Sequence, residues 1–341
     1  MKVTMRDVAK HANVSLSTVS RVISQKGYVS DETKDLVINS CKELKYKPSF
    51  MQNDMRIHTN VIGVLTADLK NEFNVHIIEG ITDIADKNGY EVLIFDAQEK
   101  QDREKRALAL FEKVPFKAVI ITPIMDTEKI NYELISALEG LKIPVVLVDR
   151  DLPYSNFDAV FLDNVTGAFE GTSALIKNGH TKIATVAGTE SSLTGKDRIV
   201  GYKKAMFMSN LPVPEKYIQD GKFTVEGGYQ AMKKLLDDPD PPTAVFVANV
   251  VMMNGCYRLI QERKMEIPQD IAVISFDDLC GNEIPKKLST IAQPMWEMGR
   301  TAMNILLERL REPRCQKETK HVILPPKLIL RGSEKMVANK R

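Results

Sequence analysis

A chain of 341 residues, 43% hydrophobic and 27% charged, exceeds one ordinary domain and is too apolar for an extended disordered protein. Its net charge of +2 hides an asymmetry: residues 1–60 carry ten basic against six acidic side chains, while the remaining 37 basic and 39 acidic residues leave the body slightly negative. No run approaches the ~18 apolar residues of a membrane span and no N-terminal stretch resembles a signal peptide, so a cytoplasmic protein without a membrane partner is expected.

Two short helical patterns flank a tight turn at Asn13-Val14. Val8, Ala9 and Ala12 form the apolar stripe of the first, and Val19, Val22 and Ile23 that of the second. Thr4 and Ser15 stand where helix N-caps are wanted. The outward positions of the second helix are Leu16, Ser17, Ser20 and Arg21, which are short, polar or basic. Such a helix fits a DNA major groove, where its polar groups can meet base edges or phosphates. A small amphipathic hairpin with a solvated face satisfies the same pattern. Ser30 opens a third helix over residues 31–45, followed by Tyr46-Lys47-Pro48. Pro48 is suited to start a further helix, with Ser49 a polar residue in its first turn.

From Val61 onward, short apolar runs alternate with amphipathic stretches. The runs cover residues 61–65, 92–95, 118–121, 145–148, 159–162, 183–186, 244–247 and 271–274. Helical patterns cover residues 75–88, 103–113, 166–178, 198–209 and 252–264. Continuous β-branched runs followed by helices indicate parallel strands buried on both faces, hence βαβ units and doubly wound sheets. Eight strands are many for one sheet, and a break near Asp163 divides them into two lobes. Ligands of such sheets bind outside the carboxyl ends of the strands, which directs attention to Thr66, Asp68, Asp149, Asp163, Asn249, Asp277 and Asp278.

The four cysteines (Cys41, Cys256, Cys280, Cys315) and the dispersed histidines lack metal-ligand spacing, so no metal and no cofactor is expected. An enzyme is disfavoured as well, because the chain has no P-loop, no Gly-x-Gly-x-x-Gly after a strand and no nucleophile elbow. A solute-binding transport protein would share a two-lobe body, but it has no use for the basic head.

The stretch Asp7-Val8-Ala9-Lys10-x-Ala12-x-Val14-Ser15-x-x-Thr18-Val19-Ser20-Arg21-Val22 closely resembles the helix-turn-helix of the LacI/GalR family of bacterial transcription regulators. Further landmarks run through the body: Asp149-Arg150, Asp163-Asn164, Gly179-His180, Arg198-x-x-Gly201-Tyr202, Phe276-Asp277-Asp278 and Thr290-Ile291-x-Gln293-Pro294. The resemblance implies an all-α helix-turn-helix head over residues 1–47 and a hinge helix and linker over 48–59. It implies an α/β core like that of periplasmic sugar-binding proteins over 60–333. Lobe one is then expected at about 60–161 and 291–321, and lobe two at about 162–290 and 322–333.

The resemblance further implies an effector-controlled regulator, a repressor of carbohydrate-related genes, expected to bind a near-palindromic operator as a homodimer. No leucine heptads follow Arg331-Gly332-Ser333, which favours a dimer over a coiled-coil tetramer. Lys2, Arg6, Ser15, Thr18 and Ser20 would hold phosphates, with Thr4 and Tyr46 beside them, and Leu16, Ser17 and Arg21 would read bases. In the hinge, Met55 takes the place of a leucine that wedges into the minor groove, Gln52 replaces a small residue, and Ser49 also faces DNA.

For the effector, a small sugar or sugar derivative, the resemblance points to Arg198, Asp277, Asn249, Gln293, Phe73 and Phe223, with Asp149 and Asp68 as further candidates. Read without it, Arg198 is a solvated helix residue, Asp277-Asp278 a turn and cap, and the two phenylalanines ordinary core. The run Ala248-Asn249-Val250 departs from the family pattern, which often has an aspartate after the asparagine. The alternative within the same family is a regulator tuned by a protein partner such as a phosphocarrier.

Overall fold

Alternation within each buried strand decides the architecture of residues 60–336. The computed structural model describes residues 3–24, 27–44, 46, 60–124, 129–189, 191–278, 287–312 and 318–336. These divide into two units, Met1–Thr59 and Asn60–Arg341.

The described residues of the first unit form three helices: α1 (Met5–His11), α2 (Leu16–Ser24) and α3 (Asp31–Glu43). Val8, Ala9, Ala12, Val19 and Val37 are buried and form its small core. Asn13, between α1 and α2, has φ +52°, a left-handed turn that asparagine tolerates better than most residues.

The second unit holds two six-stranded sheets. Along the chain its elements are β1 (Val61–Thr66), α4 (Glu72–Lys87), β2 (Glu91–Asp96), α5 (Gln101–Lys113), β3 (Ala118–Ile121), α6 (Tyr132–Gly140), β4 (Val145–Val148) and β5 (Asp158–Leu162). Then come α7 (Asn164–Lys177), β6 (Ile183–Ala187), α8 (Leu193–Met208), a 3₁₀ turn (Glu215–Tyr217), β7 (Ile218–Asp220), α9 (Val225–Leu236), β8 (Ala244–Val247), α10 (Val250–Glu262) and β9 (Ala272–Phe276). The last are β10 (Ser289–Ala292), α11 (Met295–Arg311), β11 (His321–Leu324) and β12 (Lys327–Ile329).

The sheet orders are β11-β5-β4-β3-β1-β2 and β12-β10-β9-β8-β6-β7, the same winding twice. Within each sheet, alternate residues bury against opposite helical layers, as a pleat of period two requires. In lobe one, Ile62, Val64, Ile120, Val146 and Val148 share a core with Ile77 and Ile81 of α4 and with Ala302 and Leu306 of α11. Leu65, Val119, Ile121, Val145 and Leu147 face Leu108 and Phe111 of α5 and Leu134 and Leu138 of α6. Lobe two repeats this: Phe246, Ile274 and Phe276 pack with α7 and α8, whereas Val245, Val247 and Val273 pack with α9 and α10.

The chain passes between the sheets three times, after Leu162, after Ala292 and after Leu324. Two expected lobe limits therefore move. Residues 291–292 belong to β10, which pairs in parallel with β9 of the second sheet, so the return to lobe one begins at Gln293. The closing stretch, expected in lobe two from residue 322, forms two strands: β11 (His321–Leu324) pairs with β5 in the first sheet, and β12 runs antiparallel to β10 in the second. Pro325-Pro326 separates them, and a proline cannot supply the amide that a continuous ladder needs.

Helices α4 and α11 approach until their backbones nearly touch. A Cβ on Gly80 would lie 2.0 Å from Trp296 O, and one on Gly299 would lie 1.9 Å from Ile77 O. Gly80→Ala is expected to destabilise lobe one by at least about 1–3 kcal/mol through overpacking, read as a lower thermal midpoint. An unchanged midpoint would show that the helices can separate freely. Among the described residues, no helix is long and apolar enough to cross a membrane.

Candidate functional site

Two sites were expected, one in each unit. In the head, Val19 turns α2 inward, and Val22 and Ile23 are partly buried against the same core. Leu16, Ser17, Ser20 and Arg21 are exposed on the other side. Positions one and four residues apart make them a single stripe. Ser15 fixes where α2 begins: its Oγ accepts from Thr18 N at 3.1 Å and lies 2.8 Å from Ser17 Oγ and 2.7 Å from Thr18 Oγ1. At α1, Thr4 N and Thr4 Oγ1 donate to Asp7 Oδ2 at 2.8 and 2.7 Å. The side-chain and then the backbone hydrogen bond from Thr4 hold the Asp7 carboxyl below the usual carboxylate range.

Capping thus occupies the hydroxyls of Thr4, Ser15 and Thr18. Arg6 is exposed. Tyr46 packs partly buried on the head core, its N donates to Cys41 O at 2.9 Å, and burial pushes its phenol pKa up. Its main contacts are therefore structural. Lys2 and the hinge candidates Ser49, Gln52 and Met55 lie outside the described residues.

The core site is built at the carboxyl ends of lobe two's strands, around the switch point between β6 and β8. Arg198, in the second turn of α8, is 5% exposed, which overturns its reading as a solvated helix residue. Its Nε donates to Asn164 Oδ1 at 2.9 Å, and Nη1 donates to Ala248 O. Its guanidinium carbon sits 3.7 Å from the centre of the Phe276 ring. Three strand or helix ends thereby fix one planar cation.

Asp277, directly after β9, has φ +75°, a left-handed conformation whose cost for a non-glycine residue is of order 1–3 kcal/mol. Its N donates to Ile291 O at 2.9 Å. Its Oδ2 accepts from Val250 N at 3.0 Å, and its Oδ1 accepts from Gln293 Nε2. Its carboxylate thus meets the amino end of α10, whose dipole favours a negative charge. Asn249 is the N-cap of that helix, its Oδ1 accepting from Met252 N at 2.8 Å. Although Val250 replaces the family's aspartate, its amide has a carboxylate partner in Asp277. Gln293, at the second crossing, is 8% exposed, and among the described residues no donor meets its buried Oε1.

The structure joins Arg198, Asn249, Asp277 and Gln293 through neighbouring strand ends and shared contacts. The ring of Phe223 lies against Gly188, just beyond β6, where an added Cβ would be 1.9 Å away. Phe73, in the first turn of α4, is buried in the core, its N donating to the N-cap Asn71 Oδ1 at 3.1 Å. Asp68 Oδ1 accepts from Lys70 N at 3.0 Å, and its carbonyl accepts from Asn74 Nδ2 at 2.7 Å, so it shapes the turn into α4. Asp149 mirrors Asp277: it follows β4 with φ +70°, and its N donates to Val160 O at 2.9 Å. No described hydrogen bond joins these lobe-one residues to the lobe-two group.

Sequence reasoning missed Asn164 as the partner of Arg198, although its place directly after a strand was a signal. It singled out Asp278 as a strand-end residue but missed its partner, Arg331. Arg331 Nη1 and Nη2 donate to the two Asp278 oxygens at 2.7 and 2.8 Å. The Arg331 hydrogen bonds hold the Asp278 carboxyl below the usual range against partial burial. No local pattern announces that pair, because 53 residues separate its members.

Known proteins share this arrangement. A sequence profile described as "Bacterial regulatory proteins, lacI family" matches residues 4–49, and one described as "Periplasmic binding protein-like domain" matches residues 172–334. The HTH-type transcriptional regulator DegA of Bacillus subtilis is 32% identical over 338 residues, 98% of each chain. The HTH-type transcriptional repressor PurR of Escherichia coli is 32% identical over 333 residues, 97% of this chain and 96% of that one.

Among solved structures, the complex of the transcriptional regulator CelR with cellobiose superposes with a TM-score of 0.72 at 26% identity, covering 97% of this chain and 99% of the other. A LacI family transcriptional regulator from Enterococcus faecium with bound ribose gives 0.72 at 29% identity, over 82% and 100%. The lac repressor dimer bound to operator and the anti-inducer ONPF gives 0.69 at 26% identity, over 98% and 100%. A three-helix head with a polar outward face, a twice-wound core and full-length kinship to regulators converge: the protein belongs to the LacI family of DNA-binding transcription regulators.

Proposed function

We propose that the protein is a homodimeric repressor of carbohydrate-related genes whose operator affinity is set by a small sugar, or sugar derivative, bound between the two lobes. The observation that carries this reading is the buried Gln293 Oε1, an acceptor that no described donor meets. Leaving such an atom unmatched is worth about 1–3 kcal/mol, and a ligand hydroxyl supplies the missing donor. Asp277 beside it can accept from a second hydroxyl, and the Arg198 cation offers charge and directional N–H groups. Phe223 and Phe73 are the apolar faces for ring carbons, with Asn249, Asp149 and Asp68 at the rim. The bound cellobiose and ribose of the CelR and Enterococcus structures support a ligand of this class.

In the head, Leu16, Ser17 and Arg21 would read bases, while Arg6, Ser20 and the capping hydroxyls of Thr4, Ser15 and Thr18 would orient the helix on phosphates. Two heads are needed for a near-palindromic site, and the lac repressor neighbour is a dimer. The outer edge of β2, with exposed Leu93 and Ile94, together with Leu110 of α5 and Val114 just after it, offers an apolar strip for a second copy. The effector acts on DNA only so far as it binds the two lobe arrangements with different affinity.

The test is an operator-binding titration with neutral sugars, sugar phosphates and sugar acids, and separately with a phosphocarrier protein. One sugar class is expected to change the operator Kd at least about tenfold, or 1.4 kcal/mol. If every sugar is silent and the phosphocarrier alone changes the Kd, the small-molecule reading is wrong and the partner-protein reading replaces it.

A further inference from the structure

The left-handed pose of Asp277 needs something to hold it, and its own three hydrogen bonds are only part of the answer. The next residue, Asp278, is gripped by Arg331 of the segment that follows β12. Arg331 Nη1 also lies 2.9 Å from Leu288 O and from Thr290 Oγ1, while Thr290 Oγ1 donates to Asp278 Oδ1 at 2.7 Å. The base of this grip is anchored as well. Arg331 N donates to Ser289 Oγ at 2.7 Å, and Ser333 Oγ accepts from Ser289 N and donates to Val273 O, at 2.7 and 2.6 Å. Ser333 and Glu334 are buried, with Glu334 Oε2 accepting from Ser289 Oγ and Gly332 N.

Lobe one repeats the device with the charges exchanged. After left-handed Asp149 comes Arg150, whose Nη1 and Nη2 donate to the two oxygens of Glu99 at 3.0 and 2.7 Å. In both lobes, a bidentate guanidinium–carboxylate pair sits one residue beyond an aspartate held at positive φ. A fork of two parallel bonds fixes orientation as well as distance, which a single bond does not.

We propose that Arg331 is a positioning residue of the cleft: by clamping Asp278 it holds the Asp277 carboxylate against Val250 and Gln293, and so sets the affinity for the effector. This rests on the reading of Asp277 as an effector contact. Arg331 itself touches no ligand in this scheme.

The test uses the full chain. Arg331→Gln is expected to speed amide hydrogen exchange at Val250 at least about tenfold, while β1 and β3 exchange as in the parent. Calorimetric titration with D-ribose, with cellobiose and with the most active sugar of the operator panel is expected to show affinity about tenfold weaker, with ligand-free operator affinity unchanged. Arg331→Lys, which keeps the charge but not the fork, should recover part of the loss. Unchanged Val250 exchange in a folded Arg331→Gln protein overturns the proposal. So does a parallel collapse of operator affinity and thermal midpoint, which would make Arg331 a general prop. If exchange rises but no sugar binds the parent, the positioning role stands and the sugar reading fails. Should Arg331→Gln not fold, Asp278→Asn removes the charge and keeps the shape; it is expected to move Val250 exchange the same way, and no movement there overturns the proposal.

Discussion

Arg198→Ala is expected to abolish the effector response, raising the sugar concentration for half-maximal effect about 100-fold or more, while ligand-free operator affinity stays at the parent value. A hydrogen bond to a charged donor contributes about 1.5–3 kcal/mol, which alone amounts to a factor of roughly 10–150. The side chain also carries structure. Its removal leaves Asn164 Oδ1 and the Ala248 carbonyl without their donor and strips the cation from the Phe276 ring. The thermal midpoint should therefore fall, by an amount reflecting about 2–4 kcal/mol in lobe two. Arg198→Lys separates the two effects: it keeps a cation over Phe276 but cannot serve Asn164 and Ala248 together. It is expected to melt near the parent and still lose the response. Operator titrations by fluorescence anisotropy, with and without sugar, and a thermal melt of each variant give both readouts. Loss of ligand-free operator binding in Arg198→Lys would mean that the residue only supports the fold.

Arg21→Ala should weaken operator binding by about 1–3 kcal/mol, a factor of roughly 5–150, and relax the preference at one base position in each half-site. The structure makes this a clean experiment. Arg21 is exposed on the face of α2 opposite Val19, so its loss leaves the head core intact. Arg6→Ala is the control, because a phosphate contact weakens binding to all sequences alike and lowers the salt slope by about one. If Arg21→Ala binds the operator as tightly as the parent at fixed salt, it is not a base-reading residue. If instead it loses affinity equally for operator and random duplex, its partner is a phosphate.

Most central strands were legible because they bury both faces, so a β-branched run such as Val145–Val148 stands out with no polar interruption, whereas β10, which begins Ser289-Thr290, was missed. Three of the strands at the sheet margins were not legible. β7, β11 and β12 have three or four residues, partly or fully exposed, too short to distinguish from loop. Helix starts came late for a physical reason. Asn71, Ser192 and Asn249 cap α4, α8 and α10 through side-chain acceptors, and the first turn after each is too short to show an apolar stripe. Arg198 could be placed by family pattern but not by periodicity. Its burial depends on Asn164, Ala248 and Phe276, which only tertiary folding brings together. Gln293 was legible as a polar residue at a crossing, whereas its unmatched oxygen is a property of the packed state alone.

The threefold passage of the chain between the sheets has a consequence during synthesis. When the ribosome has delivered residue 290, the first lobe still lacks α11, which covers one face, and β11, which closes one edge. Those segments come after both halves of the body, so neither lobe can be completed early, and at about 5–20 residues per second the wait from residue 290 to the end of β11 is a few seconds. The head has short-range contacts and its own small core, and it has no such delay. A nascent chain therefore owns a finished helix-turn-helix head well before it owns the two-lobe core, and a prematurely terminated message yields the first without the second.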